Sequence, residues 1–180
     1  MASTFKGAVS TFRIVGLASA NHNLFTIFNK TGSTKFVKLK RLTYQTDHTA
    51  VLITVAPIIH ASRITAIPTG GTVMTKVAFD TTLTADTNIE MMQATASDGG
   101  AASTITATAG TRMWADFKGR IHTAVGQILF LDENLIPGFC DTDPIILRAA
   151  QGILVQVVQA ALTTDHYVVS CAWEETDSIP

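Results

Sequence analysis

The chain has 180 residues, a net charge of −1 and a charged share of only 15%, while apolar residues make up 47%. A chain of this length suits one domain that folds without disulfides or metals, since it buries roughly 70% of the surface that the unfolded chain exposes. The near-zero net charge argues against a nucleic-acid partner. No apolar run approaches the roughly 20 residues that span a bilayer, so we expect no membrane partner either.

Threonine replaces much of the missing charge, with 27 residues in the chain. The charged share of an average globular protein is about 25%. Thr is β-branched, so it favours the pleated backbone, and its hydroxyl suits a half-exposed face. The composition therefore has two interpretations: a surface that other subunits cover, or a Thr-rich β domain with polar, uncharged faces.

The N-terminus lacks the charged segment and following apolar run of a secretory signal, so we expect synthesis in a cytoplasm. In that compartment Cys140 and Cys171 are expected to be reduced, small core residues rather than a disulfide.

Residues 1–20 precede the first clear strand, and we predict that they form an N-terminal arm outside the folded domain. Residues 21–180 are predicted to be a single domain. Helical periodicity is limited to residues 12–20 and to a turn near 88–94.

Short apolar, β-rich runs separated by Gly, Pro and Asn turns predict strands along the rest of the chain. These strands are 24–28, 36–45, 51–55, 58–67, 73–79, 112–117, 127–131, 152–158 and 167–174. Residues 81–110, rich in Ala, Thr, Ser and Gly, predict a long mobile excursion with at most short strands.

The last two runs show the clearest alternation. Tyr167, Val169, Cys171 and Trp173 share one heavy face, and lighter side chains occupy the other. We predict that this face is buried, and that residues 152–158 and 167–174 are adjacent antiparallel strands joined by a short connection.

Several strands at short spacing with Gly and Pro turns predict an all-β fold, an antiparallel β-sandwich. A jelly roll is the first choice, because about eight strands are expected. An immunoglobulin-like sandwich is the second, but Trp114 precedes both cysteines, so the Cys-Trp-Cys framework of that fold is absent.

No residue set predicts catalysis. The five histidines show no zinc-ligand spacing, and Asp47-His48 and Asp165-His166 are neighbours that would point to opposite faces of a strand. No nucleophile elbow or phosphate loop is present. We therefore expect no catalytic residue, no cofactor and no metal.

A basic stripe is the most distinctive charge feature, with Lys30, Lys35, Lys38, Lys40 and Arg41 within 12 positions. Lys38 and Lys40 share one strand face, which favours a solvated face or protection of a sheet edge. The alternative is contact with an acidic partner. Nucleic acid is disfavoured, because no aromatic residues interleave with the stripe.

Three segments resemble small structural proteins of tailed bacteriophages: LFTIFNKTGSTKFVKLKRLTYQT, PIIHASRITAIPTGGT and the closing GILVQVV…DHYVVSCAWEE. The likeness covers residues 20–80 and 125–175. It lies in the general pattern of the sequence and not in an invariant motif. It implies a virion protein, most like a capsid decoration (cement) protein with a β-sandwich body, which binds the major capsid protein and assembles into oligomers on the shell. No catalytic residues come with it.

These observations together predict a non-enzymatic virion protein that is made in the host cytoplasm and forms a homo-oligomer, with a trimer favoured over a dimer. The expected partner-binding residues are the apolar anchors and cation of the arm and the two lysines of the stripe: Phe5, Phe12, Arg13, Ile14, Leu17, Lys38 and Lys40. The alternatives are another phage component (tail, adaptor or fibre protein), a carbohydrate-binding β-sandwich module, which needs exposed aromatic rings, and a cupin-like enzyme, which needs a His-x-His pair.

Overall fold

The computed structural model describes residues 4–15, 21–48, 58–94, 104–116, 129–134, 145–158 and 165–177, with the backbone alone for 15, 46–48, 114–116, 129–134 and 165. Within these residues the chain forms β-strands and no helix. The strands are β1 (Phe5–Ser10), β2 (Ile14–Val15), β3 (His22–Asn29), β4 (Phe36–His48), β5 (Ile59–Ile64), β6 (Thr72–Val73), β7 (Val77–Ala78), β8 (Ile89–Gln93), β9 (Arg112–Asp116), β10 (Leu129–Asn134), β11 (Ile145–Leu147), β12 (Gln151–Val157) and β13 (Asp165–Thr176).

Two antiparallel sheets pack together and confirm the predicted all-β sandwich. Sheet A has the order β10-β4-β13-β1-β7, with β11 added to β4 and β2 added to β13. Sheet B has the order β6-β8-β3-β12-β5-β9. The predicted strand at 51–55 lies outside the described residues.

The long strands pair in a nested way. β1 pairs with β13, β3 with β12, β4 with β10, and β5 with β9, all antiparallel. Strands that are far apart in the sequence are therefore neighbours in space. β6, β7 and β8 are inserted between β5 and β9 and extend the edges of both sheets.

The core lies between the inner faces of the two sheets. The alternation predicted for the last strand is confirmed, because Tyr167, Val169, Cys171 and Trp173 are all buried there. Cys171 is a free thiol, as expected, and burial raises its pKa to about 12. Cys140 lies outside the described residues.

The predicted terminal hairpin is wrong. β12 lies in sheet B between β3 and β5, whereas β13 lies in sheet A between β4 and β1. Each run is apolar enough to occupy a central position with two partners. Alternation identifies such a strand and its buried face, but it carries no information about which strand lies beside it.

The prediction of an arm outside the sandwich is wrong for the residues that the structure describes there. Phe5, Gly7 and Val9 are buried and alternate with Lys6, Ala8 and Ser10, so this segment is a strand of period two. It lies in sheet A between β13 and β7. The helix predicted at 12–20 is also wrong at 14–15, where β2 pairs with β13.

The helical turn predicted near 88–94 is wrong as well, because Ile89–Gln93 is strand β8 between β6 and β3. The same strand lies inside the segment 81–110 that the sequence predicts to be an excursion. β8 is short, as expected there, but its Met91 and Ile89 contribute to the core. The mobility predicted for this segment stays a prediction.

Sheet B is also covered on its outer face, which explains why β3 is buried on both sides. Phe28, Ile64 and Leu154 form a small second cluster, and Ala107 packs against it. Gly152 lies in register between Phe28 and Ile64. A Cβ at this position would come within 2.6 Å of the Phe28 ring, so only glycine lets these two side chains close over β12.

Candidate interaction surface

A groove of about 720 Å³ runs over the outer face of sheet A. Its floor carries small side chains because the register aligns Ala8 with Ala172, and Ser10 with Ser170, across β1 and β13. The hydroxyls of Ser10 and Ser170 are 2.8 Å apart and hydrogen-bonded. Larger residues at these positions would fill the groove, so its depth follows directly from the sequence.

The two walls of the groove differ in chemistry. Val77 and Phe79 form one wall at the β7 edge, and their side chains are 61% and 67% exposed. Arg41 and Gln45 of β4 form the other. A groove with one apolar and one polar wall suits an amphipathic segment of another protein.

A β-bulge makes the β4 side of this face more basic than alternation predicts. The register of β4 against β13 shifts between Ala172 and Trp173, which leaves Lys40 as the extra residue. Leu39 and Leu42 are therefore both buried, while Lys40 and Arg41 follow each other on the outer face.

The predicted shared face of Lys38 and Lys40 is confirmed, since Val37 and Leu39 on the opposite face are buried. Lys38 lies in register with Glu174. The amine of Lys40 is 3.4 Å from the Glu174 carboxylate. An ion pair of this kind at the surface contributes roughly 0–1 kcal/mol to stability, and it offsets one of the positive charges of the face.

The structure separates the predicted anchors of the arm. Phe5 and Ile14 are buried in the core, and Phe5 contacts Trp173 with ring centroids 5.7 Å apart. The guanidinium of Arg13 donates a hydrogen bond to the Nδ1 atom of His166 at 3.1 Å. Of these residues only Phe12 is exposed, at 73%. Leu17 lies outside the described residues.

A buried polar network near the end of β13 was missed by sequence reasoning. The Glu175 carboxylate accepts hydrogen bonds from the Trp173 indole at 2.9 Å and from the Asp86 backbone N–H at 2.8 Å. Burial raises the pKa of Glu175, and these two bonds oppose that shift. The Lys76 amine donates to the carbonyls of Asp86 and Ile89. The network fastens the connection between β7 and β8 onto sheet A.

The strand register also brings together the two Asp-His pairs that the sequence treats as separate. Asp165 lies opposite His48, and His166 lies opposite Asp47, across β13 and β4. Adjacency along the chain does not join these residues, but antiparallel pairing does. Among the residues that the structure describes, no three His, Cys, Asp or Glu side chains are grouped as metal ligands would be.

His22 is a buried histidine whose Nδ1 atom has no hydrogen-bond partner among the residues that the structure describes. Burial lowers its pKa from 6.5 to about 4. Between these values the unfolded chain binds a proton that the folded chain does not. Protonation of His22 therefore leaves the free energy of unfolding unchanged above pH 6.5 and lowers it as the pH falls towards 4.

We expect unfolding at pH 5 to require about 2 kcal/mol less than at pH 7 because of His22. Urea titrations of the wild type and of His22→Phe at both pH values measure this contribution. The variant should lose that share of the acid sensitivity. His60, whose pKa is also lowered, and Glu175, whose raised pKa acts in the opposite direction, are common to both proteins. Equal pH dependence of the two proteins would refute the assignment.

Comparison of the chain with models of protein families, with curated proteins and with solved structures yields no match. A separate check of the described residues finds no helix with the length and apolar character needed to cross a membrane.

Proposed function

We propose that the chain is a non-enzymatic virion structural protein, a capsid decoration protein that binds across capsid subunits as a homo-oligomer. The observation that carries this proposal is the groove on sheet A, with its exposed apolar wall of Val77 and Phe79 beside a basic face. Exposed large apolar side chains beside a concave surface are typical of a protein-binding site.

The fold supports a mechanical role. The nested pairing of β1 with β13, β3 with β12, β4 with β10 and β5 with β9 supports the proposal of a jelly roll, an architecture that viral capsid domains share with lectins and cupins. A rigid oligomer of such domains makes several weak contacts at once. Its avidity can exceed the affinity of one contact by a factor of about 10²–10⁴.

The basic side of the groove indicates the charge of the partner. Lys6, Lys38 and Arg41 lie on the outer face of sheet A, with Glu174 among them. We propose that the major capsid protein presents an acidic surface to this face. Exposed charges act mainly on the rate of encounter and on its salt dependence. Changing Lys38 and Lys40 to Gln should therefore weaken binding modestly, and the effect should shrink as salt rises.

The groove itself is tested by filling it. In Ser170→Trp a large side chain occupies the floor, and Thr65→Trp, at an exposed position away from the groove, is the matched control. Both proteins and the wild type are added to particles of the encoding virus that lack this chain, and bound protein is quantified. We expect Ser170→Trp to bind at least tenfold more weakly and Thr65→Trp to bind like the wild type.

Equal binding of Ser170→Trp and the wild type would contradict a role for the groove. The same particles answer the wider question, because mass spectrometry of separated heads and tails locates the chain. Recovery in tails would favour the tail, adaptor or fibre alternative over capsid decoration. Absence from purified particles would refute the virion proposal.

A further inference from the structure

Residues 72–79, which we call the strap, form an extended segment along one side of the sandwich. At its start β6 is the outermost strand of sheet B, and near its end β7 is the outermost strand of sheet A. The strap therefore crosses from one sheet to the other. Among the described strands it supplies an edge of both.

The side chains of the strap alternate. Met74, Lys76 and Ala78 are partly buried, and Met74 and Ala78 pack against the core. The odd-numbered residues, Val73, Thr75, Val77 and Phe79, are all exposed. Of the large apolar side chains exposed among the described residues, Val73, Val77 and Phe79 lie on the strap, and the others are Phe12 and Ile67.

Phe12 lies beside the same segment. Its backbone N–H donates to the side-chain oxygen of Gln93 at 2.9 Å. Gln93 is the register partner of Thr72, the first residue of the strap. Among the described residues, the exposed large apolar side chains other than Ile67 are therefore concentrated on or near the strap, and concentration of this kind marks an interaction surface.

The strap lacks the usual protection of an exposed edge. Natural sheets guard such edges with outward-facing lysines, prolines or bulges. The strap has no proline, and its one charged residue, Lys76, directs its amine to the carbonyls of Asp86 and Ile89, the latter at 2.7 Å. The outer face of the strap is thus uncharged, and its lysine bonds to the protein's own backbone instead of repelling other strands.

The backbone at the end of the strap is oriented for pairing. Phe79 donates its N–H to the Lys6 carbonyl at 2.9 Å, which faces β1. Because successive residues of a strand direct their amide groups to opposite sides, the N–H and C=O of Ala78 face away from β1, on the side of β7 where the described part of the chain has no strand.

We propose that the strap is the surface through which two copies of this chain pair, edge to edge and antiparallel, about a twofold axis. An uncharged edge is self-complementary, whereas an edge with charges of one sign would repel its own copy. Antiparallel pairing of identical strands closes with twofold symmetry, since residue i of one copy pairs with residue j of the other and residue j pairs with residue i. The two copies of sheet A then form one continuous sheet.

This inference rests on the oligomer of the proposed function and names its surface. The strap is short, so the pairing buries an area at the low end for specific interfaces, below about 1,200 Å² in total. We therefore expect a dimer that dissociates on dilution.

Sedimentation velocity over a wide concentration series tests the pairing. The wild type should shift from monomer to dimer. Phe79→Lys places a charge on the edge and should weaken dimerisation at least tenfold. Ile67→Lys places the same charge on another exposed apolar residue, 50% exposed and outside the strap, and should dimerise like the wild type. Thermal melts verify that each variant is folded.

Ala78→Pro separates backbone pairing from side-chain contact. Proline removes the N–H that faces the open edge and leaves the bond of Phe79 to β1 in place. We expect this variant to be monomeric.

Hydrogen exchange tests the same pairing in the wild type, without a substitution. The Ala78 amide should exchange several-fold more slowly at the concentration where the dimer forms. A monomer at all concentrations, a trimer, an Ala78→Pro dimer as stable as the wild type, or unchanged exchange would each overturn the proposal.

The outcome is distinguishable from that of the virion test. Ala78 does not line the groove, so Ala78→Pro leaves that surface intact. A monomeric chain that is still found in particles refutes the pairing and the proposed homo-oligomer, and it leaves the virion proposal standing. A dimer that is absent from particles refutes the virion proposal and leaves the pairing standing.

Discussion

Deletion of residues 2–17 is expected to abolish folding. β1 lies inside sheet A, and the deletion removes Phe5, Val9 and Ile14 from the core. Each loss of a buried large side chain costs about 2–5 kcal/mol. Three such losses total roughly 6–15 kcal/mol, which is as large as the entire stability of a typical domain. Circular dichroism and tryptophan fluorescence of the purified deletion protein measure whether it is folded.

The exposed residue of the same segment supplies the control. Phe12 is 73% exposed, so Phe12→Ala should change the free energy of unfolding by no more than about 0.5 kcal/mol. A deletion protein that retains a cooperative thermal transition would mean that sheet A closes without β1. Residues 2–17 would then be an arm, as the sequence predicts, and the core position of Phe5 would be wrong.

Trp173→Ala is expected to lower the free energy of unfolding by about 3–5 kcal/mol, the range for a large buried aromatic side chain. Trp173 is 1% exposed and packs against Phe5. Its indole N–H is also one of the two donors to Glu175, so the substitution leaves a buried carboxylate with fewer partners. Chemical denaturation of the wild type and of Trp173→Ala, analysed with the same dependence of free energy on denaturant concentration, gives the difference in the free energy of unfolding.

The neighbouring position on the outer face is the matched control. Glu174 is paired only with Lys40 at 3.4 Å in the described contacts, so Glu174→Gln should cost less than about 1 kcal/mol. If Trp173→Ala unfolds at the denaturant concentration of the wild type, the inner face of β13 is not the core. Glu175→Gln should be more costly than Glu174→Gln because Glu175 is buried.

Alternation predicted individual strands well and their partners poorly. The period of two in Tyr167, Val169, Cys171 and Trp173 is a local property, and the sandwich needs one buried face, so that prediction is confirmed. The choice between a hairpin and two strands in opposite sheets depends on long-range packing. The same limit explains the arm: Phe5, Gly7 and Val9 alternate, but glycine contributes no apolar signal, so the run is easily overlooked.

The candidate surface was predictable only in part. The shared face of Lys38 and Lys40 follows from alternation, whereas the bulge that adds Arg41 to that face depends on the register with β13. Glu175 is a different case, because the alternation that buries Trp173 also places residue 175 on the inner face. An acidic side chain is expected to be exposed to solvent. The hydrogen bonds from Trp173 and Asp86 compensate for the burial of this one.

The position of β13 in the middle of sheet A has a consequence for biosynthesis. Until residues 165–176 leave the ribosome, β4 and β1 have no common neighbour, and sheet A exists only as two separate halves. At roughly 5–20 residues per second, the interval between synthesis of β1 and of β13 is on the order of 10–30 s. During that interval the apolar faces of β1 and β4 are exposed, and pairings of such high sequence separation form slowly. Completion of sheet A therefore waits until β13 has been synthesised, and a ribosome that stalls before β13 leaves an open half-sheet that is prone to aggregation.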